Sequence, residues 1–256
     1  MNQAVQTRAD GLVDTTAIVT GASRGFGRAV ATALSGAGVR VVGVARTRSR
    51  LETVRDEIGA GFTAVVADAA DSTSADRLIA EHRPRTLVLC AGAAPRMSPL
   101  QEQTWESFSE NWNVDVAQAF HWVRSALRRP LAPGSTVIVL SSGAALNGSP
   151  LSGGYAGAKA AVRFITGYAA IESQRAGLGI RFVSVLPRLT PATDLGAKAV
   201  AAYAERQGVD VGTFVRSSGP ALSAEQAARS VLEIAGGGPG ESDAYLLTAA
   251  GLSPLA

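Results

Sequence analysis

Tyr155 and Lys159 stand four residues apart in the stretch GGYAGAKAAV, Gly153–Val162. On a helix, residues at that spacing share one face, with Cβ atoms about 5–6 Å apart. A phenol beside an ammonium can act as a proton donor. It can equally be a half-buried aromatic whose hydroxyl stays in water. The decapeptide alone leaves both readings open. A second stretch, TGASRGFG at 20–27, suits a different task. Gly21, Gly25 and Gly27 permit a tight turn and let backbone N–H groups approach a pyrophosphate, with a helix N-terminus just beyond. Glycines mark many ordinary turns. This triplet, however, lies between the first apolar run and the first helical segment, which points to nucleotide binding.

The end of the second apolar run bears on which nucleotide. Folds that choose NAD tend to place an acid there to bond the ribose 2′-hydroxyl. Here the run ends VGVARTRSR, with Ala45 where an acid would stand and Arg46 just after it. Arg24 sits inside the glycine turn. Two guanidiniums converging on one ribose would suit a 2′-phosphate, because their planar donors pair with phosphate oxygens. The plainer reading makes Arg46, Arg48 and Arg50 a solvated helix start. The missing acid favours NADP(H) over NAD(H). Asp68, in VVADAAD, is expected either to cap a turn or to accept from the adenine amine.

Elements must hold these groups in place. Continuous apolar runs occur at Thr16–Thr20, Val39–Val44, Thr63–Val66, Thr86–Cys90, Thr136–Leu140, Arg181–Leu186 and Ala244–Thr248. Runs without alternation indicate strands buried on both faces, as in a parallel sheet. Between them lie helix-length segments: Gly27–Gly36, Ser49–Ile58, Ser74–His82, Thr104–Arg128, Tyr155–Arg175 and Ala224–Ile234. That alternation predicts an α/β chain, a doubly wound parallel sheet flanked by helices and folded as one domain. Residues 191–223 break the rhythm after the sixth strand. Their apolar members, Leu195, Val200, Tyr203, Val211 and Phe214, are expected to form a lid over a ligand, although they would also serve simply to dock the loop.

Bulk properties exclude several classes. The 256 residues are 46% hydrophobic and 18% charged with a formal net charge of +3, which suits a globular protein and makes dense nucleic-acid binding unexpected. One cysteine, Cys90, forbids an internal disulfide and fits a reducing, cytoplasmic setting. The opening MNQAVQTRADGLVD is polar, so neither a secretion signal nor a membrane anchor is expected. His82 and His121 are isolated, and no metal site is expected.

Together these pieces make the chain resemble the short-chain dehydrogenase/reductase family over almost its whole length. The matching pieces are TGASRGFG at 20–27, Asp68, the Ala91-Gly92 of LCAG, Asn113 in NWNVDV, the serines of VIVLSSGAA, and YAGAK at 155–159. The resemblance implies a catalytic set of Asn113, Ser142, Tyr155 and Lys159. Tyr155 would protonate a carbonyl oxygen as hydride reaches the carbon. Lys159 would favour the phenolate and bond the nicotinamide ribose, and Ser142, 13 positions before Tyr155, would hold the substrate oxygen. Asn113 would interrupt its helix and bind a water leading from Lys159 to solvent. Gly21, Ser23, Arg24, Gly25, Phe26, Gly27, Arg46, Asp68, Ala91, Gly92, Tyr155, Lys159, Pro187 and Thr190 would line the cofactor, with Thr193 competing for the role of Thr190. The two long helical segments resemble those through which the family forms dimers and tetramers.

The sequence also departs from that pattern. The usual Asn-Asn-Ala-Gly is Leu89-Cys90-Ala91-Gly92, so the asparagines that knit the central sheet are gone. Cys90 reads as a structural residue, since nothing nearby suggests an activating base. The usual Pro-Gly is Pro187-Arg188, and the last strand ends LLTAAGL in place of Val-Asp-Gly-Gly. The resulting expectation is an NADP(H)-dependent oxidoreductase acting on a small to medium, largely apolar ketone or alcohol. The competing expectation is a catalytically silent nucleotide sensor or scaffold.

Overall fold

The computed structural model describes residues 11–240 and 242–255; residues 1–10 of the polar leader lie outside them. Eight strands form one sheet: β1 (Thr16–Thr20), β2 (Arg40–Ala45), β3 (Phe62–Val66), β4 (Thr86–Leu89), β5 (Thr136–Leu140), β6 (Arg181–Pro187), β7 (Ala244–Thr248) and β8 (Gly251–Pro254). The order is β3-β2-β1-β4-β5-β6-β7-β8. Every pairing is parallel except β7 with β8. The doubly wound α/β fold expected from the sequence is therefore present.

The apolar runs are continuous because both faces of the sheet are covered. Along β5, Ile138 and Leu140 join one core cluster, while Val137 and Val139 join the other. The first cluster takes Val30 and Leu34 of α1 (Gly25–Gly36), Leu51 and Val54 of α2 (Arg48–Ile58), and Val231 and Ile234 from near the C-terminus. The second takes Leu78 and Ile79 of α3 (Ser72–His82) and Trp122 and Val123 from the long middle helical segment.

That middle segment is not one helix. It comprises α4 (Trp105–Asn111), a π turn (Trp112–Val116) and α5 (Ala117–Arg128). After β5 come the single turn α6 (Ala144–Asn147) and the long α7 (Gly153–Arg175). A Cβ on Gly154 would stand 1.9 Å from the Phe108 carbonyl oxygen, so α4 and α7 approach to backbone contact there. The region after β6 folds as α8 (Asp194–Gln207) and α9 (Val211–Ser217), followed by α10 (Ala224–Ala235). β8 was not anticipated: it carries no apolar run and is created by a tight turn pairing Thr248 with Gly251.

Candidate active site

β1 and β4 are neighbours in the sheet but lie far apart in sequence, and a cavity of about 1190 Å³ opens beyond their carboxyl ends. A crevice of this kind, where the strand order reverses, is the usual ligand position in open α/β sheets. Gly21 leaves β1 at φ +68°, and a Cβ there would stand 2.8 Å from the Ala91 nitrogen. A Cβ on Gly27 would stand 2.3 Å from the Gly21 carbonyl oxygen. Side chains are therefore excluded where the turn, the exit of β4 and α1 meet.

α1 starts on the cavity wall at Gly25 with no side-chain cap and no acid in its first turn. α2 and α7 also start without a side-chain cap, whereas α3, α4, α8, α9 and α10 are capped by Asp71, Thr104, Thr193, Asp210 and Ser223. The uncapped N–H groups of α1 fit a pyrophosphate, which would supply the acceptors that the chain does not. Ser23, Arg24 and Phe26 line the same wall.

Arg46 is exposed beyond β2 and lines the cavity with Thr47 and Arg50, while Arg48 does not. Arg24 Nη1 lies 3.6 Å from Asp194 Oδ2, both side chains being exposed. Its convergence with Arg46 on a phosphate would thus replace an exposed ion pair, which is a weak interaction. Asp68 Oδ1 accepts from the Ala70 nitrogen at 2.9 Å, capping a turn at the cavity edge. Ala91 and Gly92 form the opposite wall.

The proton-donating couple meets this wall from α7. Lys159 is 6% exposed, and its Nζ lies 5.7 Å from the centroid of the Tyr155 ring. Nζ also donates to the Leu140 carbonyl oxygen at 2.9 Å. The two serines after β5 have separate surroundings. Ser141 is buried and donates to the Lys159 carbonyl oxygen at 2.7 Å, tying β5 to α7. Ser142 is half-buried on the cavity wall, and its Oγ accepts from the Ala144 nitrogen at 3.2 Å.

Asn113 does not sit where the sequence reading placed it. It is exposed and lies off the cavity wall. The helix is interrupted as expected, but the π turn points Asn113 outward and brings Asp115 in. Asp115 is 1% exposed, and its Oδ1 lies 2.9 Å from Lys159 Nζ. Its Oδ2 accepts from the Ala93 nitrogen at 2.9 Å and from Asn111 Nδ2 at 3.2 Å. A carboxylate four residues after a buried amide was the available signal, obscured by a second asparagine between them. Burial opposes the charge on Lys159, but Asp115 and then Tyr155 more than offset it and hold the ammonium above the ordinary lysine range.

Thr190 and Thr193 both line the cavity, and the Thr190 hydroxyl donates to the Leu222 carbonyl oxygen and accepts from the Ala192 nitrogen within the loop. Thr193 is the threonine against the glycine turn, 3.5 Å from where a Gly25 Cβ would be. Pro187 ends β6 on the cavity wall, where its carbonyl accepts from the Gly143 nitrogen at 2.9 Å. Arg188 follows it, exposed at the same wall. Leu195, Tyr203 and Phe214 reach the cavity, whereas Val211 is 47% exposed and does not line it. Burial pushes the Cys90 thiol up to about 12, with Lys159 opposing weakly. Among the described residues, no group of three His, Cys, Asp or Glu is placed to hold a metal.

Comparison with known proteins places these features in context. A profile described as "short chain dehydrogenase" matches residues 15–204. The L-rhamnose 1-dehydrogenase (NAD(P)(+)) of Azotobacter vinelandii is 34% identical over 210 residues, covering 77% of this chain and 80% of that one. The sorbitol dehydrogenase of Cereibacter sphaeroides is 30% identical over 175 residues, covering 66% and 68%. A dehydrogenase/reductase from Sinorhizobium meliloti 1021 superposes with a TM-score of 0.76 at 28% identity, covering 91% of this chain and 92% of that one.

Proposed function

The chain belongs to the short-chain dehydrogenase family, and from that premise we propose that it interconverts a ketone or aldehyde and the matching alcohol, with Tyr155 as general acid–base and NADP(H) preferred. The family makes it an oxidoreductase using a nicotinamide dinucleotide. The uncapped start of α1 and the glycine turn would hold the pyrophosphate, and Arg46, joined by Arg24, would hold a 2′-phosphate. The dinucleotide, when bound, supplies or accepts hydride at the substrate carbon. Ser142 would fix the substrate oxygen by a hydrogen bond. Tyr155 would give that oxygen its proton during reduction and take it back during oxidation. Lys159 would keep a positive charge beside the phenol.

The observation carrying this reading is that Lys159 Nζ lies 5.7 Å from the Tyr155 ring centroid in the cavity that Ser142 and the glycine turn also line. NADPH oxidation with a panel of carbonyl compounds tests it. Relatives are named for sorbitol, L-xylulose and L-rhamnose, so ketoses and aldoses belong on that panel beside apolar ketones. Tyr155→Phe should lose about 10²–10⁴-fold in rate; an equally fast variant would refute the mechanism. NADPH binding without turnover of any compound would favour the sensor or scaffold reading.

Two finer features accompany this proposal. The α8–α9 region would close over substrate as a lid, supported by Leu195, Tyr203 and Phe214 at the cavity wall. A homo-oligomer would form through α5 and α7, supported by the exposure of Phe120, Phe164, Tyr168 and Ile171. A monomer in light scattering at assay concentrations would count against that assembly.

A further inference from the structure

We propose that Asp115 is a positioning residue of this reaction: it holds Lys159 as the charged half of a buried ion pair and aims it at the face of Tyr155. The inference rests on the reading that Tyr155 and Lys159 carry the proton transfer. Asp115 is built to stay in place. Oδ2 is fixed by the Ala93 nitrogen and Asn111 Nδ2, which leaves Oδ1 facing Lys159 Nζ at 2.9 Å. Gly92 makes the room, since a Cβ there would stand 2.8 Å from Oδ1. With Leu140 as its other anchor, the ammonium keeps one N–H for the cavity.

The charge balance around Lys159 follows from its neighbours. The π turn contributes Asp115, α7 contributes Tyr155, and the residue after β4 contributes Cys90, whose thiol stays neutral well past physiological pH. Arg188, after β6, shares the cavity wall. Asp115 is thus the carboxylate that answers the lysine. An ammonium this deeply buried would shed its proton without such a partner. The pairing therefore keeps a charged ammonium beside the phenol, which is the lysine's part in the proton transfer. Overall, the hydride goes to the carbonyl carbon, the phenolic proton goes to its oxygen, and the phenolate is reprotonated from solvent. The carbonyl is reduced as the nicotinamide is oxidised.

The test uses Asp115→Asn, which keeps size and removes charge, in two measurements. The first is melting temperature against pH without cofactor. In the parent, Lys159 is held charged, so it contributes stability that is present at neutral pH and is lost only as pH rises through its raised folded value. In the variant, burial, the largest influence on Lys159, is opposed chiefly by Tyr155 alone, so the folded lysine shifts towards its neutral form. The variant's deficit should be largest at neutral pH and shrink as the solution becomes basic. A variant that is unfolded at neutral pH should regain its cooperative transition at basic pH. A deficit that does not change with pH, or a transition that never returns, overturns the proposal. The second measurement is the pH profile of carbonyl reduction, whose basic limb should move down by about one pH unit or more. Superimposable profiles overturn the proposal as well. Failure of the underlying reading is separate: it would show as an active Tyr155→Phe enzyme and would leave the melting result standing.

Discussion

The Thr20 hydroxyl donates to Gln118 Oε1 at 2.6 Å, joining the end of β1 to α5 across 98 positions of sequence. The same threonine oxygen accepts from the nitrogens of Cys90 and Ala91 at 3.0 and 3.2 Å, and Gln118 Nε2 donates to the Ala91 carbonyl at 2.9 Å. This relay secures the exit of β4, the stretch where the family's asparagine pair is missing. Thr20→Val would strand one buried amide oxygen and two backbone N–H groups. We expect a loss of about 1–3 kcal/mol in denaturant unfolding, with weaker dinucleotide binding as Ala91 and Gly92 loosen. Parent-like stability would show that the relay is dispensable.

Arg46→Ala separates the two dinucleotides. A charge-assisted hydrogen bond to phosphate contributes about 1.5–3 kcal/mol, so the Kd for NADPH should rise roughly tenfold or more, while that for NADH stays close to the parent value. Fluorescence titration with each cofactor reads the difference. Equal weakening of both would remove Arg46 from the 2′-phosphate site.

Gly92→Ala perturbs the ion pair without substituting either partner. The new Cβ would lie 2.8 Å from Asp115 Oδ1 and 3.3 Å from Oδ2, so the carboxylate must move. Overpacking of this kind costs about 1–3 kcal/mol. The reduction rate should fall, and its pH profile should shift in the same direction as that of Asp115→Asn. Unchanged kinetics would mean that the carboxylate can be displaced without consequence.

Cys90 should be inert while the protein is folded. Cys90 is half-buried on the cavity wall, and burial pushes its thiol up to about 12, so very little reactive thiolate is present near neutral pH. Alkylation should be very slow in native buffer and fast once denaturant is added. Rapid native-state labelling would contradict this environment.

The legible parts of the fold are those set by burial. Runs such as TVIVL must be apolar at every position because Ile138 and Val139 face opposite cores, and that pattern survives in composition alone. β8 had no such mark, since GLSP is a strand only because the turn at Ala249-Ala250 lays it against β7. The glycine turn was legible because no other residue type would fit between Gly21 and Ala91. Asp115 was not. Asn111, Asn113 and Asp115 are three plausible polar residues at alternate positions, and only the local choice of hydrogen-bond ladder decides which of them turns inward. The threonines were ambiguous for a similar reason: whether Thr190 or Thr193 meets the glycine turn depends on where Leu222 passes, a contact 32 positions away.

The π turn at Trp112–Val116 acts as a phase shifter. It lets α4 present Asn111 and Phe108 to the body of the protein while α5 presents Trp122 and Ala126, though the two helices follow one another almost directly. Each residue of an α-helix advances the azimuth by about 100°, and the wider turn absorbs one such step, so both helices keep their faces on the core while the ladder between them changes. The segment has a protected length but a permissive surface: Trp112 and Asn113 are exposed and open to exchange, whereas one further residue inserted among these five positions would turn α4 and α5 out of phase and pull Asp115 away from Lys159 without altering either residue.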